Sequence, residues 1–112
     1  MSKISFEDIG SVMATFAAEE GVSGGQVVKL TGNGQVAPCA EGDAFCGMAL
    51  EPRTSIVGVQ VKGFMTVRYT GDLTVGWTML AANGVGGVKA ASAGVNVQVI
   101  SVNTDGTAVI CL

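Results

Sequence analysis

Gly71-Asp-Leu-Thr-Val-Gly76-Trp77-Thr-Met79-Leu80-Ala-Ala-Asn83-Gly84-Val85-Gly-Gly-Val88-Lys-Ala90-Ala91 is the stretch whose reading decides the fold. It reads as a turn, a strand, a tight hairpin and a second strand. Asn83-Gly84 is the expected hinge. A two-residue type I′ turn needs positive φ at both central positions, and Asn followed by Gly tolerates that best. The chain's single tryptophan, Trp77, stands at the entrance to this unit.

A weaker version of the same pattern lies upstream, from Gly25 through Leu30 to Asn33-Gly34. Two readings stand: a pseudo-duplicated hairpin inside one β domain, or chance similarity between two glycine-rich hairpins. Two copies do not make a solenoid, which needs at least about three stacked repeats.

The flanking sequence carries the same strand signals. Val12–Ala18 places Val12, Ala14 and Phe16 on one face, which suits a strand better than a helix. Residues 26–31, turn residues 32–34 and return residues 35–37 form a hairpin pattern. Pro38 to Asp43 is a polar loop. Ala44 to Glu51 reads as a short strand in which Gly47 marks a bulge or a close backbone approach. Pro52 to Ser55 is a turn. From Ile56 to Tyr69 the pattern alternates, with Gly63 either kinking one strand or separating two. Val95, Val97 and Val99 alternate with Asn96 and Gln98. Residues 103–106 are a turn, and the apolar strand 107–112 calls for a place inside a sheet or at an interface. Nine or ten short strands with no room for a long helix predict an all-β fold, a small β-barrel or β-sandwich. Residues 12–112 form the single β domain. Residues 1–11 form an extended N-terminal arm, read as one helical turn or as a flexible segment.

Composition narrows the functional classes. Only 13% of the 112 residues are charged, against about 25% in typical domains. Such a surface fits a protein packed against copies of itself or a larger body. Its edge strands carry few lysines and prolines, so pairing with other subunits is a natural way to cover them. The net charge is −3 and the six cations are scattered. Direct nucleic-acid binding, which needs grouped cations, is not expected. No window approaches about 20 uninterrupted apolar residues, so no membrane span is expected. The first residues, MSKISFEDIGS, lack the apolar core of a signal peptide.

No catalytic constellation emerges. The chain has no histidine, so neither Cys39, Cys46 nor Cys111 has a histidine to activate it as a nucleophile. The same lack rules out Cys₂His₂ zinc, and three cysteines cannot make a Cys₄ site. The cysteines read as small apolar fillers, with a Cys39–Cys46 disulfide as the alternative. Glu41 and Asp43 on a Gly loop fall short of a calcium loop. Most carboxylates sit at turns, where they cap and solvate. Gly24-Gly25 and Gly84 with Gly86-Gly87 lack the helix and Gly-Lys-Ser/Thr of a phosphate loop. Trp77, Phe64 and Tyr69 form either a ligand platform or, the favoured reading, core or subunit packing. No cofactor and no metal are expected.

The ordered turns resemble those of the small bacteriophage capsid decoration proteins, the capsid-cement or head-stabilising family. The matching motifs are Val22-Ser-Gly-Gly25-Gln-Val-Val28, Gly47-Met-Ala-Leu50, Val59-Gln-Val-Lys-Gly63, and Gly71-Asp72 through Gly76, Leu80, Ala82, Asn83 and Gly84. The resemblance covers residues 12–112 and rests on turn chemistry. The three cysteines and the longer arm depart from it. It implies a non-enzymatic virion protein, a homotrimer on the outer head surface whose partner is the major capsid protein. It implies no cofactor, nucleic acid or membrane. Ile4, Phe6 and Ile9 of the arm, with Trp77, are the candidate capsid or subunit contacts. A tail-tube or head-fibre subunit, or a small ligand-binding β-barrel, are the alternatives.

Overall fold

A computed structural model describes residues 11–112. The described residues contain ten strands and no helix. They are β1 (Val12–Ala18), β2 (Val27–Gly32), β3 (Gln35–Pro38), β4 (Gly47–Ala49) and β5 (Ile56–Lys62), then β6 (Phe64–Arg68), β7 (Gly76–Ala82), β8 (Val88–Ala90), β9 (Val95–Val102) and β10 (Thr107–Cys111). The first five close into a barrel in the order β1-β3-β2-β4-β5. The last five form a second sheet, β6-β10-β9-β7-β8. The all-β expectation therefore holds, with the barrel as its main feature.

Alternation explains both cores. Val28, Val36, Ala49, Val57 and Val59 turn into the barrel and fill it together with Val22. Met65, Val67, Leu80, Val88, Val97, Val99 and Ile110 build the core under the second sheet. Val27, next to Val28 on β2, points the other way and joins this second core. Phe45 and Cys46 repeat the device, one packing in each core. The expected 44–51 strand is reduced to the three residues of β4.

Gly63 decides how barrel passes to sheet. Its φ of 100° is a conformation that glycine adopts without strain. β5 ends before it in the barrel, and β6 begins after it in the other sheet. Of the two sequence readings, two strands meeting at Gly63 is the correct one. The buried Gln60 braces the junction by donating from Nε2 to the Phe64 carbonyl at 2.8 Å. Gly47 is a site of close approach, as expected: a Cβ there would lie 2.3 Å from the Gln60 carbonyl oxygen.

The hinge expectation at Asn83-Gly84 needs correction. β7 and β8 pair up to Ala82↔Val88, so the connection spans five residues, 83–87. Asn83 does not have positive φ; among the described non-glycine residues only Thr54 does. Instead the Asn83 side chain caps the loop, its Oδ1 accepting N–H groups of Val85 and Gly87 at 2.9 and 3.0 Å. The wider loop reaches the barrel, where the Gly86 carbonyl accepts the Val27 N–H at 3.0 Å. The proposed duplication also fails in detail. Leu30 is 57% exposed whereas its counterpart Leu80 is fully buried. Two-residue turns lie elsewhere, at 33–34 between Gly32 and Gln35 and at Thr54-Ser55, where Arg53 and Ile56 exchange both backbone hydrogen bonds.

The expectation of exposed edges is likewise revised. Closure removes edges from the barrel. The second sheet curls until Tyr69, just after β6, bridges Val88 of β8, and the Thr70 N–H donates to the Val88 carbonyl at 3.1 Å. The C-terminal strand β10 does lie inside its sheet, between β6 and β9. The loop at 39–46 ties the two halves together: Lys29 on β2 pairs with Asp43, and Lys89 on β8 pairs with Glu41, each at 2.7 Å.

Candidate interaction surface

One group of exposed apolar residues lies on the outer face of the second sheet. Register places Trp77, Gln98, Cys111 and Phe64 in one row across β7, β9, β10 and β6. Residues directly opposite in antiparallel pairs share a face. The same face carries Met79 beside Asn96, and Val109 beside Thr66. Val75, just before β7, is 66% exposed, Trp77 70% and Met79 36%. Alternation along Val75-Gly76-Trp77-Thr78-Met79 sends these three outward, while Leu80 is buried.

No charged residue interrupts the two rows through Trp77 and Met79. Arg68, opposite Thr107, and Lys89, opposite Ala81, stand at the margins. The centre is thus apolar and amide-bearing, and charge begins at the rim. Exposed aromatic and methionine side chains inside a polar rim are the composition of a protein contact.

The structure separates the proposed aromatic platform. Trp77 and Phe64 share the row but stand three strands apart, about 14 Å. Tyr69 lies beyond the end of β6, its hydroxyl donating to the Asn103 carbonyl at 3.2 Å. No single ligand could stack on all three. Trp77 is also no part of the core formed by the described residues. Ile4, Phe6 and Ile9 lie outside the described residues.

Three carboxylates are held by turn and ion-pair contacts. Asp43 is held below the usual carboxylate range by the Lys29 ammonium and by the Ala40 N–H. Glu41 is lowered by Lys89. Asp105 is lowered by accepting from the Thr107 hydroxyl and N–H within the 103–106 turn. Each carboxylate is engaged at a turn, and Glu41 and Asp43 are drawn to different lysines. Among the described residues no three His, Cys, Asp or Glu side chains converge as metal ligands. The cysteines are free. Burial pushes the Cys39 thiol up to about 11 and raises Cys46 as well. Both stay protonated at neutral pH and make poor nucleophiles.

A surface cleft of about 230 Å³ opens beside the Arg53 turn, lined by Thr15, Leu50, Glu51, Arg53, Ile56 and Val57. Drug-sized ligands occupy clefts of about 300–1,000 Å³. The barrel interior is filled by its own valines.

Sequence reasoning singled out Trp77 but not its companions Val75 and Met79. Their two-residue spacing in V-G-W-T-M was the available signal. It also missed the apolar residues exposed on the barrel side, Val12, Met13, Leu30, Leu50 and Ile56. The chain matches no family model, and no curated protein matches it.

Proposed function

We propose that this chain is a structural virion protein, a decoration subunit that binds the outside of a phage capsid. It acts without catalysis or cofactor, stabilising the head by clamping neighbouring major-capsid subunits. The observation that carries the reading is the uncharged outer face centred on Trp77, Val75 and Met79. Together with the low charge content, such a face favours a protein whose working surface meets other proteins. The turn motifs quoted above supply the capsid setting. In this reading the subunits associate as trimers, and Ile4, Phe6 and Ile9 add a capsid or neighbour contact.

Native mass spectrometry and co-sedimentation with expanded heads lacking the protein test the proposal together. A trimer that pellets with heads supports it. A hexamer that ignores heads points to a tail tube. A monomer that binds neither heads nor itself refutes both structural readings.

A further inference from the structure

Asn-Gly occurs twice, at Asn33-Gly34 and Asn83-Gly84. In this dipeptide the backbone nitrogen after Asn approaches the side-chain amide carbon with least obstruction, because glycine has no Cβ. The fold gives the two copies opposite surroundings.

Asn83 is half-buried and engaged. Its Oδ1 accepts two backbone N–H groups, and its Nδ2 donates to the Thr70 hydroxyl at 3.4 Å. Gly84 packs on the loop at 39–46, where a Cβ would lie 3.3 Å from the Glu41 nitrogen. Asn33 is exposed in the two-residue turn between β2 and β3. Its side chain makes no hydrogen bond among the described residues. A Cβ at Gly34 would meet nothing within 4 Å.

We propose that Asn33 is a site of spontaneous covalent modification, losing its side-chain amide, and that Asn83 is protected. The Gly34 amide nitrogen gives up its proton to hydroxide and bonds to Cγ of Asn33. The tetrahedral carbon takes a proton on its amide nitrogen and expels ammonia, leaving a five-membered imide. Water then adds to either imide carbonyl and opens the ring to aspartate or isoaspartate. No electron transfer is involved, and one negative charge is gained.

The position gives the change a consequence. The parallel β1–β3 pairing that closes the barrel consists of two residue pairs, Ala17↔Gln35 and Ala18↔Val36. The Gly34 carbonyl beside it accepts the Ala17 N–H at 2.8 Å. Isoaspartate lengthens the main chain by one methylene inside the turn bounded by Gly32↔Gln35. The Gly34 carbonyl then shifts away from Ala17, and the closing seam loosens.

Ageing the full chain in mildly alkaline buffer, followed by peptide mass spectrometry with isoaspartate detection, tests this. The two amide hydrogen bonds that must open at Asn83 set a protection of about thirtyfold relative to Asn33. In urea both sites convert at similar rates. Equal rates in the folded protein, or faster loss at Asn83, overturn the assignment. Amide exchange at Ala17 should quicken in aged protein but not in aged Asn33→Gln. The same quickening in that variant overturns the link to the seam.

Discussion

Trp77→Ala separates contact from core. The side chain is 70% exposed and stands on the sheet face away from the buried residues. A tryptophan can bury up to about 250 Å², so roughly 175 Å² of this one is open to a partner. At ~25 cal/mol per Å² that surface represents about 4 kcal/mol as an upper bound. Interface anchors of this kind cost about 2–4 kcal/mol on truncation, a loss of roughly 30- to 1,000-fold per contact. Folding stability should change by less than about 0.5 kcal/mol, because an exposed side chain has little to lose. The assay pairs urea unfolding with quantitative binding to heads and to sister subunits. The expected result is an unchanged unfolding midpoint with association reduced by at least the lower figure. Undiminished association refutes the assignment of this face. A collapsed midpoint with intact association shows that Trp77 serves the fold.

Other consequences follow from single positions. Gly47→Ala forces a Cβ to 2.3 Å from the Gln60 carbonyl oxygen, and overpacking of this kind costs about 1–3 kcal/mol or more; unfolding of the purified variant reads it. Thr54, a β-branched residue at φ 52°, sits where left-handed geometry costs about 1–2 kcal/mol. Thr54→Gly relieves that at some entropic cost, so a modest rise in melting temperature is expected, and a fall would show that the threonine side chain stabilises the turn. Acid should destabilise the fold. The folded-state pKa values of Glu41, Asp43 and Asp105 lie below their ordinary values of 4.5, 3.8 and 3.8. Their contribution is present above those ordinary values and is lost as pH falls through the lowered ones. Denaturation midpoints followed from neutral pH downward should drop through this window, and less steeply in Asp43→Asn.

Period-two patterns were legible even where a strand's partners are distant: β1 was read from Val12, Ala14 and Phe16 although it pairs with β3 and β5. β9 announced itself through Val95, Val97 and Val99, and the β2–β3 hairpin through its Gly-Asn-Gly turn. The type I′ turn at Asn83 was misread because its loop is shaped by distant groups, the Val27 N–H and the Glu41 backbone. Dipeptide preference cannot report either. The 44–51 strand was overextended because its first residues belong to the loop at 39–46, whose Asp43 carbonyl accepts the N–H of distant Ala82, a contact with no local signature. Barrel closure, which removed the expected edges, depends on β1 meeting both β3 and β5. For the candidate surface, the single tryptophan was visible in sequence. Its exposure follows from pairings that bury Leu80 and leave Trp77 outside.

Electron cryo-microscopy of native particles carrying this protein tests the central claim most directly. The account predicts a small all-β protrusion on the head surface with the Trp77, Val75 and Met79 face buried against neighbouring protein. Density that leaves this face open to solvent, or a head with no such protrusion, would contradict it.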